Sequence, residues 1–409
     1  MKEKICPDCG PAQVDHLAQY ISVLADWLLS PLNKINIQIR RSIFAPIFLP
    51  MRLDRLALPI FRLLTSLGLG SINQEPNAHN SLRAQALWES AKKLGIKIYE
   101  FRLLGRPLET FVAIYGNESK FFYEIPRPQK PLSEGFWWMD DKPTMRRHFQ
   151  ENSIPVAVGG ACFRYSKALR IFRSINGDTI IKPSQGSRSR HTTVHIKTEA
   201  QLRQAFKKAK QLSPFVLVEQ QLQGKVYRAT VIGGKAAAVL SRNRPCVVGN
   251  GQKTIRELVQ EENKNPKRHE TEIFHEIPVD SEAEKELQRQ GLNFDSIPKD
   301  GDAVYLSDKV SRGVGAITED FTDNVHPDNK QLFEKIAKVV DDPVIGIDFI
   351  INDMSRSYRG QKLCGVIECN SSPFLDLHHH PYQGEPRDVS SLLWQLIFQI
   401  PVQPVEKAV

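Results

Sequence analysis

The sequence lacks a long hydrophobic run, which excludes an ordinary membrane-spanning helix. Its most apolar stretch, residues 42–70, is interrupted by Arg52, Asp54, Arg55 and Arg62 and by three prolines. A span needs about 20 nearly continuous apolar residues. The sequence also has no internal repeat and no low-complexity tract, so fibrous and disordered classes are excluded as well.

Cysteine is scarce, with six residues at irregular spacing and no signal peptide ahead of them. This excludes the disulfide framework of a small secreted protein and predicts reduced thiols in a cytoplasmic protein. Cys6-Pro7-Asp8-Cys9 is half of a zinc site, but a structural zinc ion needs four ligands and no second CxxC follows. The sequence therefore favours a terminus without metal over a zinc site.

Positive charge dominates, with a formal net charge of +9. The basic residues are spread along the chain, and no RNA-recognition, zinc-finger or helix-turn-helix signature is present. Binding of a triphosphate and an acidic substrate also requires positive charge. We therefore expect small anionic ligands and no nucleic acid.

The pattern of elements predicts an α+β protein in several parts. Residues 1–78 form a basic helical region, residues 79–135 a small α/β unit, residues 136–400 a larger mixed domain, and residues 401–409 a tail. The N-terminal helices either pack on the rest of the chain or on a second copy, or rest on an anionic membrane or protein surface.

Three oxygen-bearing side chains lie in two predicted strands near the C-terminus. Asp348 interrupts an apolar strand, and Glu368 and Asn370 stand two residues apart, hence on one face of the next strand. Such hard donors suit Mg²⁺. Structural hydrogen bonds at strand ends are the alternative.

Basic residues occupy positions suited to phosphate. Lys142 opens a helical pattern and Lys182 ends an apolar strand. Residues 184–191, here called the predicted phosphate loop, include Gly186 and could bind phosphate oxygens through backbone N–H groups. A surface lysine is the ordinary alternative for either one alone.

Three further charged residues follow. Glu219 ends a strand, and Arg228 and Arg242 stand 14 residues apart on a predicted hairpin, compatible with one face of the sheet.

Together these residues resemble the ATP-grasp domain of cyanophycin synthetase and of fused glutathione synthetases. The resemblance runs from Asp141 to Phe398 and rests on four local matches. They are residues 227–268 with Tyr227-Arg228, Gly234-Lys235 and Arg242; residues 320–327; Gly346-Ile-Asp348 with Ile367-Glu368-Cys-Asn370; and His378, Pro381, Gly384, Arg387 and Val389.

The resemblance implies an ATP-grasp fold, in which two α+β subdomains clasp ATP behind a small α/β pre-ATP-grasp unit and the helical N-terminal region. It also assigns roles to individual residues. The nucleotide site is expected at Lys142, Lys182, Gly186, Glu219 and Arg228; two Mg²⁺ ions (or Mn²⁺) at Asp348, Glu368 and Asn370; catalysis at Arg242, Lys309 and Arg312; and substrate contacts at His378 and Arg387.

The implied activity is an ATP- and Mg²⁺-dependent carboxylate–amine ligase that forms an amide or peptide bond on an amino acid or peptide through an acyl phosphate. A homo-oligomer is expected. The alternative is a catalytically silent relative that binds nucleotide or a metabolite as a regulatory or partner subunit.

Departures from the family pattern keep that alternative open. The family loop carries three glycines after the strand lysine, whereas here Ser189 and His191 replace two of them. Glycine permits backbone conformations and close approaches that serine and histidine resist. An acidic residue expected before Arg228 is Val226. The run His378-His379-His380 is not expected to bind a transition metal, since adjacent strand residues point apart.

Overall fold

The computed structural model of the chain describes residues 6, 9, 14–25, 28, 50–77, 80–128, 133–185, 190–269, 273–310 and 312–401. Gly186, part of the N-terminal region and all but residue 401 of the predicted tail lie outside these residues.

The described helices are α1 (16–25), α2 (Pro50–Ser66), α3 (Leu82–Lys93), α4 (Glu134–Trp138), α5 (Lys142–Glu151), α6 (Tyr165–Ser174), α7 (Glu199–Ala209), α8 (Ile255–Asn263), α9 (Ser281–Arg289), α10 (Pro327–Val340), α11 (Asp376–His379) and α12 (Val389–Phe398). Several of these helices begin at a residue whose side chain accepts a hydrogen bond from the first helical turn. Thr198 and Thr254 each form a capping box, which satisfies backbone N–H groups that the first helical turn leaves unpaired.

The described strands are β1 (Gly70–Asn73), β2 (Lys97–Leu103), β3 (Arg106–Tyr115), β4 (Glu118–Tyr123), β5 (Gly159–Cys162), β6 (Thr179–Pro183), β7 (Thr193–Ile196), β8 (Val216–Gln220), β9 (Lys225–Ile232), β10 (Lys235–Asn243), β11 (Cys246–Val248), β12 (Ala303–Tyr305), β13 (Ile317–Asp320), β14 (Val344–Ile351) and β15 (Gly365–Asn370). They form antiparallel sheets in the orders β1-β2-β3-β4, β5-β8-β6-β7, β13-β10-β9-β14-β15 and β11-β12.

The five-stranded sheet β13-β10-β9-β14-β15 is the centre of the molecule. Helices α5 and α10 cover one face through Met145, Phe149 and Phe333, which pack on strand residues such as Ile347. Helices α3 and α12 pack at one end of the opposite face. Alternation along each strand separates the two faces.

The sheet β5-β8-β6-β7 forms a second, smaller layer. Helices α6 and α7 pack on it through Ala168, Leu202 and Phe206, which contact Ile181 and Val218. These two sheets with their helices are the two α+β subdomains that the resemblance predicts.

The N-terminal sheet β1-β2-β3-β4 packs on the central sheet through α3 and α12. Helix α2 covers its other face with Ala57, Leu58 and Phe61. Strand β1 precedes the predicted boundary at residue 78 and pairs with β2, which follows it. The domain boundaries stay predictions.

A small insertion, residues 246–306, contains β11, α8, α9 and β12 around a core of its own. None of the described helices combines the length and the apolar character that a membrane span requires.

Candidate active site between two sheets

One face of the central sheet changes from apolar to charged along its strands. On β9, Ile232 lies under the α3 and α12 helices, whereas Thr230 and Arg228, two and four residues earlier, continue the same face beyond them. The register places Arg228 opposite Asp348 on β14 and Asp348 opposite Glu368 on β15. Three charged side chains therefore stand in a row across neighbouring strands.

Asp348 is the most strongly paired of them. Its carboxylate accepts hydrogen bonds from Nε and Nη2 of Arg228, and Arg242 Nη1 lies 3.2 Å from its Oδ2. Burial by itself raises the pKa of Asp348, but the two guanidinium groups outweigh it, so the pKa is lowered. Asp348 is therefore a buried carboxylate that stays ionised.

Arg242 connects Asp348 to the loop that follows β12. Its Nη2 donates to the Val310 carbonyl at 2.9 Å. Burial lowers the pKa of Arg242, and Asp348 opposes that effect. Farther along this loop, Arg312 lies 2.7 Å from Asp376 and packs over the Phe374 ring.

Lys142 reaches the same face from helix α5. Asp141 caps this helix by accepting from the Thr144 N–H at 3.0 Å, which fixes Lys142 as the first helical residue. Its Nζ lies 3.6 Å from Glu368 Oε2.

A second ionic group lies on the β5-β8-β6-β7 sheet. Glu219 on β8 is buried, and its two oxygens lie 2.7 Å from Lys182 Nζ and 3.0 Å from Arg146 Nη1. Burial raises the pKa of Glu219, but Lys182, Arg146 and Lys142 together lower it below its ordinary value.

Helix α5 joins the two ionic groups. Lys142 and Arg146 stand four residues apart, on one face of the helix, and contact Glu368 of one sheet and Glu219 of the other. The charge of Lys142 also acts on both Glu219 and Asp348. We call the assembled side chains the site network: Lys142, Lys182, Glu219, Arg228, Arg242, Asp348, Glu368 and Asn370.

The oxygen donors of the network suit a hard cation. Asp348 and Glu368 face each other across β14 and β15, and Asn370 lies two residues beyond Glu368. The buried Nδ2 of Asn370 has no hydrogen-bond partner among the described residues; the atom of this amide that could bind a metal is Oδ1. Two carboxylates and an amide on adjacent strands fit Mg²⁺, which binds few protein oxygens.

Other residues predicted from the sequence lie outside this network. Lys309 contacts Glu282 on α9 at 2.9 Å, and Arg387 contacts Asp320 and Asp323 at 2.6 and 2.7 Å. Their catalytic and substrate roles, like that of Arg312, stay predictions.

His378 is fully buried on α11, where its Nε2 lies 2.7 Å from Thr230 Oγ1. Burial is the main cause that lowers the pKa of His378 to about 3, so the imidazole is neutral. Its predicted substrate contact also stays a prediction.

Two residues that contact the network or the loop after β12 were not predicted from the sequence. Arg146 could have been inferred only from its position one turn after Lys142. Asp376 partners Arg312 from a helix of four residues, too short to show periodicity. A surface cavity of about 750 Å³, lined by Gly233, Lys338 and Asp342 among others, contains none of the network.

The chain is similar to two groups of curated proteins. It is 32% identical over 326 residues to the bifunctional glutathione biosynthesis protein of Clostridium perfringens, and the match covers 78% of this chain and 41% of that protein. It is 30% identical over 262 residues to cyanophycin synthetase of Trichormus variabilis, covering 63% of this chain and 29% of that protein. The chain thus spans less than half the length of these relatives. No protein-family model matches it.

A solved structure supports the same assignment. The crystal structure of a bifunctional glutathione synthetase from Pasteurella multocida superposes with a TM-score of 0.59 at 25% identity, covering 78% of this chain and 43% of that chain. The similarities confirm the predicted resemblance to cyanophycin synthetase and fused glutathione synthetases, and the mixed α+β ATP-grasp fold.

Proposed function

We propose that this chain is an ATP- and Mg²⁺-dependent carboxylate–amine ligase that forms an amide or peptide bond through an acyl phosphate. One observation carries the proposal: Lys142 brings Asp348 and Glu368 of one sheet into one charged network with Lys182 and Glu219 of the other. The similarity to proteins named for glutathione and cyanophycin synthesis supports the same chemistry.

The network contains positive side chains for the phosphates of ATP and oxygen donors for Mg²⁺. Lys142 and Lys182 are the ammonium groups for phosphate oxygens, and the segment around Glu219 lies at the end of β8, where the adenine is expected. Asp348, Glu368 and Asn370 would hold Mg²⁺, which would neutralise the triphosphate charge during transfer.

The proposed reaction has two steps. A substrate carboxylate oxygen attacks the γ-phosphorus and the bond to ADP breaks, giving an acyl phosphate. An amine then attacks the acyl carbon, phosphate leaves, and the amine loses a proton. Arg242 is the guanidinium we assign to the transferring phosphoryl group, because it stands beside Asp348 with the Val310 loop against it.

The substrate class follows from the relatives. Glutathione and cyanophycin are both built from amino acids, so we propose an amino acid or short peptide as carboxylate and amine. A cytoplasmic location and a homo-oligomer belong to the same proposal, and light scattering of the purified chain tests the second.

The test is a screen of amino acids and short peptides for phosphate release that depends on both ATP and substrate. Glu368→Gln keeps the shape but removes a metal-ligand charge, so we expect turnover to fall by at least about 10²-fold. Glu89→Gln, an exposed change on α3, is the matched control and should leave the rate unchanged. Full activity of Glu368→Gln would reject the assigned site.

A silent relative is the competing function, and the replacement of loop glycines by Ser189 and His191 favours it. Calorimetry separates the two. Nucleotide binding that is independent of Mg²⁺ and yields no turnover with any substrate would support the silent relative.

Membrane or protein contact through the N-terminal region rests on helix α2. Leu56, Ile60 and Leu63 lie on one side of it and are 51%, 42% and 59% exposed. Sedimentation with anionic liposomes, compared between the wild type and a variant with serine at these three positions, tests this contact. Equal pelleting of the two proteins would exclude membrane binding through these three side chains.

A further inference from the structure

Four side chains with metal-binding atoms, none of them part of the site network, meet where the start of the chain contacts His191. They are Cys6, Cys9, His16 and His191, here called the cysteine–histidine cluster. Their sulfur and ring-nitrogen atoms all lie within 4.8 Å of one another, and no other such group of three or more His, Cys, Asp or Glu is found in the described part of the chain. His191 lies 182 residues after Cys9, so the fold alone assembles the cluster.

The spacing of these atoms fits a tetrahedral ion. With zinc–sulfur and zinc–nitrogen bonds of about 2.3 and 2.0 Å, tetrahedral geometry places sulfur and nitrogen about 3.5 Å apart. His191 Nε2 lies 3.5 Å from Cys6 Sγ and 3.6 Å from Cys9 Sγ. His16 Nε2 lies 3.2 Å from Cys9 Sγ. Two sulfurs and two nitrogens at these distances leave room for a zinc ion among them.

The surrounding contacts prepare the ligands for metal. The Cys9 N–H donates to the Cys6 carbonyl at 3.2 Å, which holds the two cysteines close together. His191 Nδ1 lies 2.9 Å from the Lys208 carbonyl oxygen, which can only accept a hydrogen bond, so Nδ1 carries the proton. The lone pair of Nε2 is then available to bind a metal ion. Metal-bound histidines have this kind of partner on the other nitrogen.

His191 also has a left-handed backbone conformation and a buried side chain. Its φ of 51° lies in the left-handed region that favours glycine, and its side chain is buried, with a relative exposure of 1%. A histidine held there in a costly conformation is explained by a ligand that needs its imidazole.

We propose that Cys6, Cys9, His16 and His191 bind one structural zinc ion, which fastens the N-terminal segment to the C-terminal end of the predicted phosphate loop. Four protein ligands close the coordination sphere, as in structural rather than catalytic zinc sites. Two thiolates and two imidazoles select zinc over the hard cations that suit Asp348 and Glu368. The cysteine pair thus finds its other two ligands in histidines and not in a second CxxC.

The experiment is metal analysis of the full chain, expressed with zinc and dialysed without chelator. We expect about one zinc per chain in the wild type and a loss of about tenfold or more in Cys9→Ser and His191→Ala. Cys364→Ser and His195→Ala, a cysteine and a histidine outside the cluster, are the matched controls and should keep the metal. Wild-type protein without stoichiometric zinc, or with a Cys6–Cys9 disulfide in its place, would overturn the proposal.

Cobalt spectroscopy of the wild type and of one further variant tests the proposal even if Cys9→Ser and His191→Ala fail to fold. Cobalt substituted into the wild type should show the visible absorption of tetrahedral coordination together with sulfur-to-cobalt charge transfer. His16→Cys should keep the tetrahedral spectrum and increase the charge-transfer intensity by about half, because it adds a third thiolate to two. An unchanged charge-transfer band would remove His16 from the site. Neither readout depends on nucleotide binding or ligase activity.

Discussion

Asp348 is buried and ionised, and it is paired with two arginine side chains. Burying a carboxylate is costly unless charge and hydrogen bonds compensate it. Arg228 supplies two hydrogen bonds and Arg242 a third contact at 3.2 Å. The arrangement keeps the buried Asp348 carboxylate charged, as the proposed metal ligand must be. Gly346 makes space for the ion pair, since a Cβ there would lie 3.2 Å from Arg228 Nη1.

Removal of Arg228 should therefore cost more than the loss of an ordinary ion pair. We expect Arg228→Met to lower the free energy of unfolding by about 3 kcal/mol, because Asp348 then remains buried with one partner fewer. Urea unfolding measures the change.

The matched control for this change is Arg256→Met, which removes an exposed arginine and should cost less than about 1 kcal/mol. Adding Asp348→Asn to Arg228→Met should recover part of the loss. Equal costs for the two arginine variants would contradict the account of Asp348.

His378 makes folding stability depend on pH. Because burial lowers its pKa from 6.5 to about 3, the unfolded chain binds more protons between those values. The stability that the folded protein gains from neutral His378 is complete above pH 6.5. It is lost as the pH falls towards 3, by about 1.4 kcal/mol per pH unit. The same sign holds for His379, whose pKa burial lowers to about 4.

His378→Gln should reduce the slope of unfolding free energy between pH 6.5 and 5 by about 1 kcal/mol per unit, because the unfolded imidazole is only half protonated at pH 6.5. Urea unfolding at several pH values measures it, with His275→Gln as a control that removes an exposed histidine. A variant with the wild-type slope would show that His378 is not the group responsible.

At the scale of elements, the turn between β8 and β9 connects the two sheets that form the candidate site. Gly224 in this turn has a φ of 115°, and a Cβ there would lie 2.3 Å from the Ile351 carbonyl oxygen. The turn therefore needs glycine for two reasons, conformation and close approach.

A comparison with Gly177 tests the two reasons separately, because Gly177 has a similar φ of 109° but nothing within 4 Å of an added Cβ. We expect Gly177→Ala to lower the free energy of unfolding by about 1–2 kcal/mol from strain alone. Gly224→Ala should cost at least about 2 kcal/mol more, since backbone must shift. Equal losses in denaturant unfolding would contradict the close approach.

Elements with strong local signals are the ones that the sequence predicts well. The apolar strands predicted at Lys182 and Asp348 are Thr179–Pro183 and Val344–Ile351, and the helix predicted to open at Lys142 is Lys142–Glu151. Helix α6 is not predicted, although apolar residues recur along it, because Arg164 gives no side-chain cap that would mark its start. Strands of three or four residues, such as β5 and β11, are too short to show alternation.

Across the chain as a whole, helix α5 links two glutamates that lie far apart in sequence, Glu219 on one sheet and Glu368 on the other. Lys142 contacts Glu368 and Arg146 contacts Glu219, so one helical turn reaches both sides of the candidate cleft. Sequence reasoning identified Lys142, Lys182 and the three oxygen donors by residue type and spacing. It could not find Arg146 as a partner of Glu219 or join Cys6 to His191, because such pairings depend on tertiary structure.

In the proposed ligase, Lys142, Lys182, Asp348, Glu368 and Asn370 surround one metal-bound triphosphate. A crystal structure with Mn²⁺ and a non-hydrolysable ATP analogue tests this arrangement most directly, since anomalous scattering locates the metal independently of the refined atoms. The account predicts manganese within coordination distance of Asp348 and Glu368, with the phosphates against both lysines. Metal or triphosphate bound elsewhere, with these five side chains contacting neither, would contradict it.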